Sequence, residues 1–164
     1  MLGTKFVKPL ETQEQLDAYS QAAEWCNSNN AMIEDKGEYY EVVEIPAPTL
    51  AEVKAGKLAE LKSIRDTQEV ADIQVNGRLF DYDDKARERI NAAIVALDVM
   101  GGTIMWTLAD NTDTEVSAND LRFVIAMVAQ RSNILHVKYR ELKERVENAT
   151  TKEQVETISW AEEQ

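Results

Sequence analysis

Residues 121–146 read LRFVIAMVAQRSNILHVKYRELKERV, the longest stretch of the chain with one apolar periodicity. Its apolar positions form a stripe in which the spacing alternates between four and three residues, which is a heptad register. A helix of roughly 28 residues would keep this register for about three and a half repeats. The stripe is Leu121, Ile125, Val128, Ser132, Leu135, Tyr139, Leu142 and Val146, of which all but Ser132 are apolar. Such a stripe is typical both of a self-associating coiled coil and of a helix inside a bundle. We favour a spine within one domain, and association through the remaining face of the helix stays open.

The chain before residue 46 is predicted to form a small α+β module. Thr12 opens a helix, because Thr12-x-x-Gln15 is a capping box. AMIEDKGEYYEVVEI, residues 31–45, predicts two short strands joined by a tight turn in which Gly37 has a positive φ. Residues 1–45 are therefore expected to form one helix plus a β-hairpin.

Two prolines separate this module from the rest of the chain. Pro46 and Pro48 cannot continue a helix or a central strand, and each biases the preceding residue toward an extended conformation. We assign residues 46–48 to a linker and residues 49–164 to a second domain.

Cap and turn signals divide the second domain into mainly helical elements. The first predicted elements are a helix from Thr49 to about Gln68, a type I′ hairpin at Asn76-Gly77 and a helix between the aspartates at 81–84 and Gly101. A β-rich segment around Trp106 and the long helix follow. The last predicted element is a short helix that begins at Thr150 or Thr151 and ends at Trp160. The expected fold is α+β: a small helix-plus-β-hairpin N-terminal module, then a mainly helical domain with short β-hairpins and one long helix.

Composition restricts the partners that the protein can have. The chain has 164 residues and a formal net charge of -12, so the molecule repels phosphate backbones and anionic lipid, and we expect no nucleic-acid partner. No window approaches the roughly 18 uninterrupted apolar residues of a spanning helix. The first residues lack the apolar core of a secretory signal, so we expect no membrane partner and no export.

Signatures of catalysis and cofactor binding are missing from the sequence. His136 is the single histidine, and Cys26, the single cysteine, lies on an apolar helix face and is expected in the core. Neither phosphate-binding glycine motif occurs. The acidic clusters at 81–84 and 110–115 do not fit a calcium loop and are expected to cap helices and turns. We therefore expect a protein that is not an enzyme and has no cofactor or metal.

Tryptophans and basic residues are the best candidates for protein interaction. Trp106 is expected in the core, whereas Trp25 and Trp160, near helix ends, are expected to be partly exposed. The candidate interaction residues are Trp25, Trp160, Lys138, Lys143 and Arg145. Trp160→Ala and the pair Lys143→Glu, Arg145→Glu are expected to weaken partner binding without unfolding the protein.

Several segments resemble proteins encoded beside the tail fibres of tailed bacteriophages and prophages. The run AAEWCNSNNAMIEDKGEYYEVVEI, residues 22–45, is similar to their small N-terminal module. The second domain resembles their C-terminal domain of unknown function. The segments that carry this likeness are LAELKSIRD (58–66), VNGRLFDYDDKARERI (75–90), WTLADN (106–111), RSNILHVKYRELKE (131–144) and TISW (157–160).

The resemblance implies a tail-fibre assembly protein without established catalytic residues. Its partner would be a phage tail fibre protein, which it would help to assemble as a chaperone or accompany at the fibre tip. It would act in the bacterial host cytoplasm during phage assembly, or remain in the virion tail. The alternative is a self-associating structural subunit of the virion, and the third reading is an enzyme or a host-directed inhibitor.

Overall fold

The computed structural model describes residues 1–161 and divides into two compact units, one spanning Met1–Pro48 and one that begins at Thr49. Both units combine helices with short antiparallel strands, and the second contains one long helix. The predicted α+β class is confirmed.

The first unit packs one helix on a three-stranded sheet. Its elements are β1 (Lys5–Val7), α1 (Gln13–Ser28), β2 (Ala31–Asp35) and β3 (Tyr39–Glu44), with β3 between the other two strands. The hairpin of β2 and β3 is present as predicted, and Gly37 has a φ of +87° in its turn. β1 is an addition to the prediction, since three residues are too few to show a strand period and their partner is more than thirty residues away.

The core of the first unit is small. Ala22 and Cys26 of α1 are buried against Ala31 and Val42 of the sheet, as expected for Cys26. Tyr19 links the two layers through edge-to-face ring contacts, 5.5 Å from Phe6 and 5.2 Å from Tyr40 between ring centroids.

The second unit is built along one helix. Its elements are α2 (Leu50–Glu69), β4 (Ile73–Val75), β5 (Arg78–Phe80), α3 (Asp84–Met100), β6 (Thr103–Thr107), β7 (Asp113–Ser117), α4 (Ala118–Asn148) and α5 (Lys152–Thr157). β4 pairs with β5 and β6 with β7, each as a two-stranded antiparallel ribbon. With 31 residues, α4 is slightly longer than predicted and spans about 46 Å.

Local signals place most of these elements correctly. Asn76 and Gly77 have φ values of +51° and +78°, as a type I′ turn requires. Capping boxes open α1, α2, α4 and α5. The predicted end of the last helix is wrong, because Ile158 already has an extended backbone and α5 stops at Thr157.

The heptad stripe of α4 is covered inside the second unit. Leu121 and Val128 join a core that includes Phe80 and Ile90. Further along, Leu135 and Leu142 join a second core with α2 and α5. The stripe is thus a spine shared by two cores, as expected: five of its eight side chains are buried, and Ile125, Ser132 and Tyr139 are half-buried. Within residues 1–161, no helix is both long enough and apolar enough to cross a membrane.

Candidate protein-interaction surface

Four of the five candidate interaction residues lie on the second unit, where the C-terminal half of α4 meets α5. Lys138, Lys143 and Arg145 are on α4, and Trp160 follows α5. Lys143 and Arg145 are exposed and Lys138 is half-buried. The fifth residue, Trp25, lies on α1 in the first unit, where it is half-buried against the small core, as predicted.

The predicted exposure of Trp160 is wrong. The side chain is only 8% exposed and belongs to the core shared by α2, α4 and α5. The extended backbone after Thr157 turns the chain back onto α4, and the Lys138 ammonium lies 5.4 Å from the Trp160 ring centroid. Trp160→Ala should therefore destabilise the second unit by about 3 kcal/mol, as truncation of a buried aromatic does, rather than weaken binding alone. A variant that melts like the parent would contradict this placement.

An open groove of about 610 Å³ runs between the last turns of α4 and α5; we call it the α4–α5 groove. Glu141, Glu144 and Arg145 line it from α4, and Gln154 and Thr157 line it from α5. The buried side chains of Ala149 and Ile158 add apolar surface between the two helices.

The sequence between α4 and α5 fixes the shape of this groove. The Gln154 side-chain carbonyl accepts hydrogen bonds from the backbone N–H groups of Thr150 at 2.7 Å and Thr151 at 3.2 Å. Ala149 donates its N–H back to the Arg145 carbonyl at 3.1 Å. These bonds satisfy backbone groups at the helix ends and define the turn between α4 and α5.

The groove is lined by charges of both signs, those of Glu141, Glu144 and Arg145, and further charged residues lie close by in sequence. Lys143 Nζ lies 3.6 Å from Glu147 Oε1, an i,i+4 pair on the exposed side of α4. Lys54 of α2 donates to the Glu147 carbonyl at 2.8 Å. A guanidinium and two carboxylates along an open groove can donate to and accept from a polypeptide at the same time.

A second polar cluster joins the end of α2 to α4. Arg131 donates to three backbone carbonyls, those of Ala71 at 2.8 Å, Glu69 at 2.9 Å and Asp72 at 3.2 Å. Burial lowers the pKa of the Arg131 guanidinium. Glu69 Oε1 also accepts from Ser132 Oγ at 2.9 Å and lies 2.9 Å from His136 Nε2.

Sequence reasoning missed Arg131. Its position beside Ser132, the one polar member of the heptad stripe, could have indicated a polar contact between α4 and a neighbouring element. His136 is an exposed residue in the middle of α4, and its partner is a glutamate of α2. These contacts connect two helices.

The acidic clusters cap helices and turns, as expected. Asp83 accepts from the Ala86 N–H at 2.7 Å and caps the N-terminus of α3. Asp110 accepts from the Thr112 hydroxyl at 2.6 Å and its N–H at 3.0 Å, and these bonds lower the pKa of Asp110. In the part of the chain that the structure describes, no three histidine, cysteine or acidic side chains are grouped to hold a metal ion.

Comparison with known proteins assigns the second unit to a family. Residues 52–159 match a family described as a domain of unknown function, DUF4376. No curated protein and no solved structure matches the chain. The match covers well over half of the chain, from the first turn of α2 to beyond α5, and includes the residues of the α4–α5 groove through Ile158. The chain therefore belongs to the DUF4376 family.

Proposed function

We propose that this protein is a non-enzymatic phage protein that binds a tail fibre protein. It either assists fibre assembly as a chaperone in the bacterial host cytoplasm or stays at the fibre tip in the virion tail. The resemblance of several segments to proteins encoded beside tail fibres supports this partner. The observation that carries the proposal is the α4–α5 groove, which lies within the matched domain.

The groove suits a polypeptide better than a small molecule. Small ligands are usually enclosed in largely apolar pockets. Here the groove is open along its length and bordered by Glu141, Glu144 and Arg145, a mixture more typical of the polar rim of a protein interface.

Co-expression with the tail-fibre gene of the same genome tests the proposal. The measurements are the amount of soluble trimeric fibre with and without this protein, and whether the two proteins co-purify. More trimer with release of this protein indicates a chaperone, and a stable complex indicates a fibre component. No change in trimer and no complex would overturn the proposal.

Charge reversal tests the groove itself. The pair Lys143→Glu, Arg145→Glu should reduce co-purification with the fibre at least tenfold, because Arg145 lines the groove and Lys143 is exposed two residues before it on α4. The matched control is Lys62→Glu, Lys85→Glu, which makes the same change in net charge on exposed residues of α2 and α3. Equal loss in both pairs would mean that net charge, and not the groove, governs binding.

The alternative, a structural subunit that self-associates through the heptad stripe, has little exposed surface there, because five of the eight stripe residues are buried and the other three are half-buried. A structural role would still place the protein in purified particles at fixed stoichiometry. Quantitative mass spectrometry of particles separates this alternative from a transient chaperone.

A further inference from the structure

A second face of α4 is apolar and uncovered. Phe123 is 46% exposed and Ile134 is 58% exposed. Ala126 and Gln130 are exposed between them, and Met127 is half-buried at the edge. These residues follow helical spacing on the side of α4 away from the heptad stripe. We call them, with the half-buried Val137 one turn further on, the outer face of α4.

This face is also free of negative charge. The chain has 30 acidic residues, yet residues 121–140 contain none and carry four basic residues. Arg122 is paired with Asp98 of α3, and Arg131 is bound to carbonyls at the end of α2. Two copies of a chain with a net charge of -12 repel each other over most of their surface. Along the outer face they can meet without opposing carboxylates.

A groove beside the outer face has room for an aromatic ring. It measures about 300 Å³ and is lined by Ile73 of β4 together with Met127, Gln130, Arg131, Ile134 and Leu135 of α4. A cavity of about 150 Å³ already accommodates benzene. Phe123 of the same chain lies near the N-terminal end of α4 and does not line this groove. A phenylalanine from another copy can enter it.

We propose that two copies of this chain pair through the outer face of α4, with Phe123 of each copy in the groove beside Ile134 of the other. The contact is isologous, so each copy contributes the same patch. The proposal goes beyond the tail-fibre function and does not depend on it.

The two α4 helices run antiparallel in this pair. Glu141 and Glu144 follow the outer face toward the C-terminus of α4. A parallel pair would set these glutamates against their own copies. An antiparallel pair, which Phe123 beside Ile134 of the other copy requires, keeps the glutamates of the two copies apart.

Sedimentation velocity of the full chain over a wide concentration range tests the pairing. The parent should be a dimer, and Phe123→Glu and Ile134→Glu should each be monomers with an unchanged circular dichroism spectrum. Val99→Glu is the control, because Val99 is 84% exposed on α3, outside the face, and this variant should remain a dimer. If Phe123→Glu fails to fold, Ile134→Glu carries the test alone. A monomeric parent, or a dimer in both face variants, would overturn the proposal.

Disulfide cross-linking tests the direction of the helices. In a Cys26→Ala background, Phe123→Cys mixed with Ile134→Cys should give a cross-linked dimer under mild oxidation. Phe123→Cys alone should not, because its two copies would lie about 16 Å apart along the helix axis. Efficient cross-linking of Phe123→Cys alone would indicate a parallel pair and overturn the antiparallel arrangement.

Discussion

Arg131 shows how one side chain can close the end of a helix. α2 has no basic residue in its last turn, and the carbonyl of its last residue, Glu69, accepts instead from Arg131 of α4. The Arg131 guanidinium supplies donors to three of the backbone carbonyls in this region. The N–H groups of a guanidinium form a rigid planar fork, so they can bond several carbonyls in a fixed geometry. A lysine ammonium has no such fixed planar arrangement of donors.

Arg131→Met should lower the free energy of unfolding by about 2 kcal/mol, since it leaves partly buried carbonyls without donors. Arg131→Lys should recover less than half of that loss. Urea denaturation followed by circular dichroism measures both. Arg140→Met, an exposed position on the same helix, is the control and should change stability by less than about 0.5 kcal/mol. Equal stability of Arg131→Met and the parent would show that the fork contributes nothing.

α4 depends on its first turn as well as on its buried stripe. β7 ends at Ser117, and the capping box there starts the helix directly after the strand. Asp120 Oδ2 accepts from the Ser117 N–H at 2.8 Å and from its hydroxyl at 2.6 Å. These hydrogen bonds lower the pKa of the Asp120 carboxyl below its ordinary value.

The box should make the stability of the second unit depend on pH in a defined direction. A carboxyl with a lowered pKa in the folded state stabilises the fold above its unfolded pKa of about 3.9, and loses this contribution as pH falls through the folded pKa. The parent should therefore exceed Asp120→Asn in stability near neutral pH, and the difference should shrink toward zero in acid. Urea denaturation at several pH values measures it. A difference that does not change with pH would mean that the charge of Asp120 is not involved.

The two units of the molecule differ greatly in the size of their cores. Four buried residues make up the core of the unit Met1–Pro48. The second unit has two larger clusters that share α4, one containing Phe80 and Trp106 and the other Leu61 and Trp160. Because the stability of a domain follows the apolar surface that it buries, the first unit should be the weaker one.

Amide hydrogen exchange should reveal this difference. Amides of β3 in the first unit should exchange at least tenfold faster than those in the middle of α4, since local opening follows the stability of each unit. Mass spectrometry after peptic digestion resolves the two segments. Equal protection of β3 and α4 would show that the two units unfold as one.

Much of the fold follows from interactions within a few residues. Capping boxes at Thr12, Thr49 and Ser117 were predictable because each side chain bonds the backbone of its own first turn. Asn76 and Gly77 specify their turn through conformations that few other residues adopt. β1 and the Arg131 fork were not predictable, since their partners are distant along the chain.

The candidate site divides in the same way. Lys143 and Arg145 were found from charge and helical spacing, whereas the groove beside them was not, because the position of α5 depends on packing against α4. Trp160 was misplaced for the same reason: its burial follows from where the chain turns after Thr157.

Amino-acid order alone specified where the helices begin, which turns close the ribbons and which stripe of α4 is apolar. The tertiary structure decided which faces of α4 are covered: the heptad stripe packs against two cores, whereas Phe123 and Ile134 are exposed. The physical reason is that caps and turns are short-range hydrogen bonds written into neighbouring residues, while burial is a non-directional effect that depends on which distant surfaces meet.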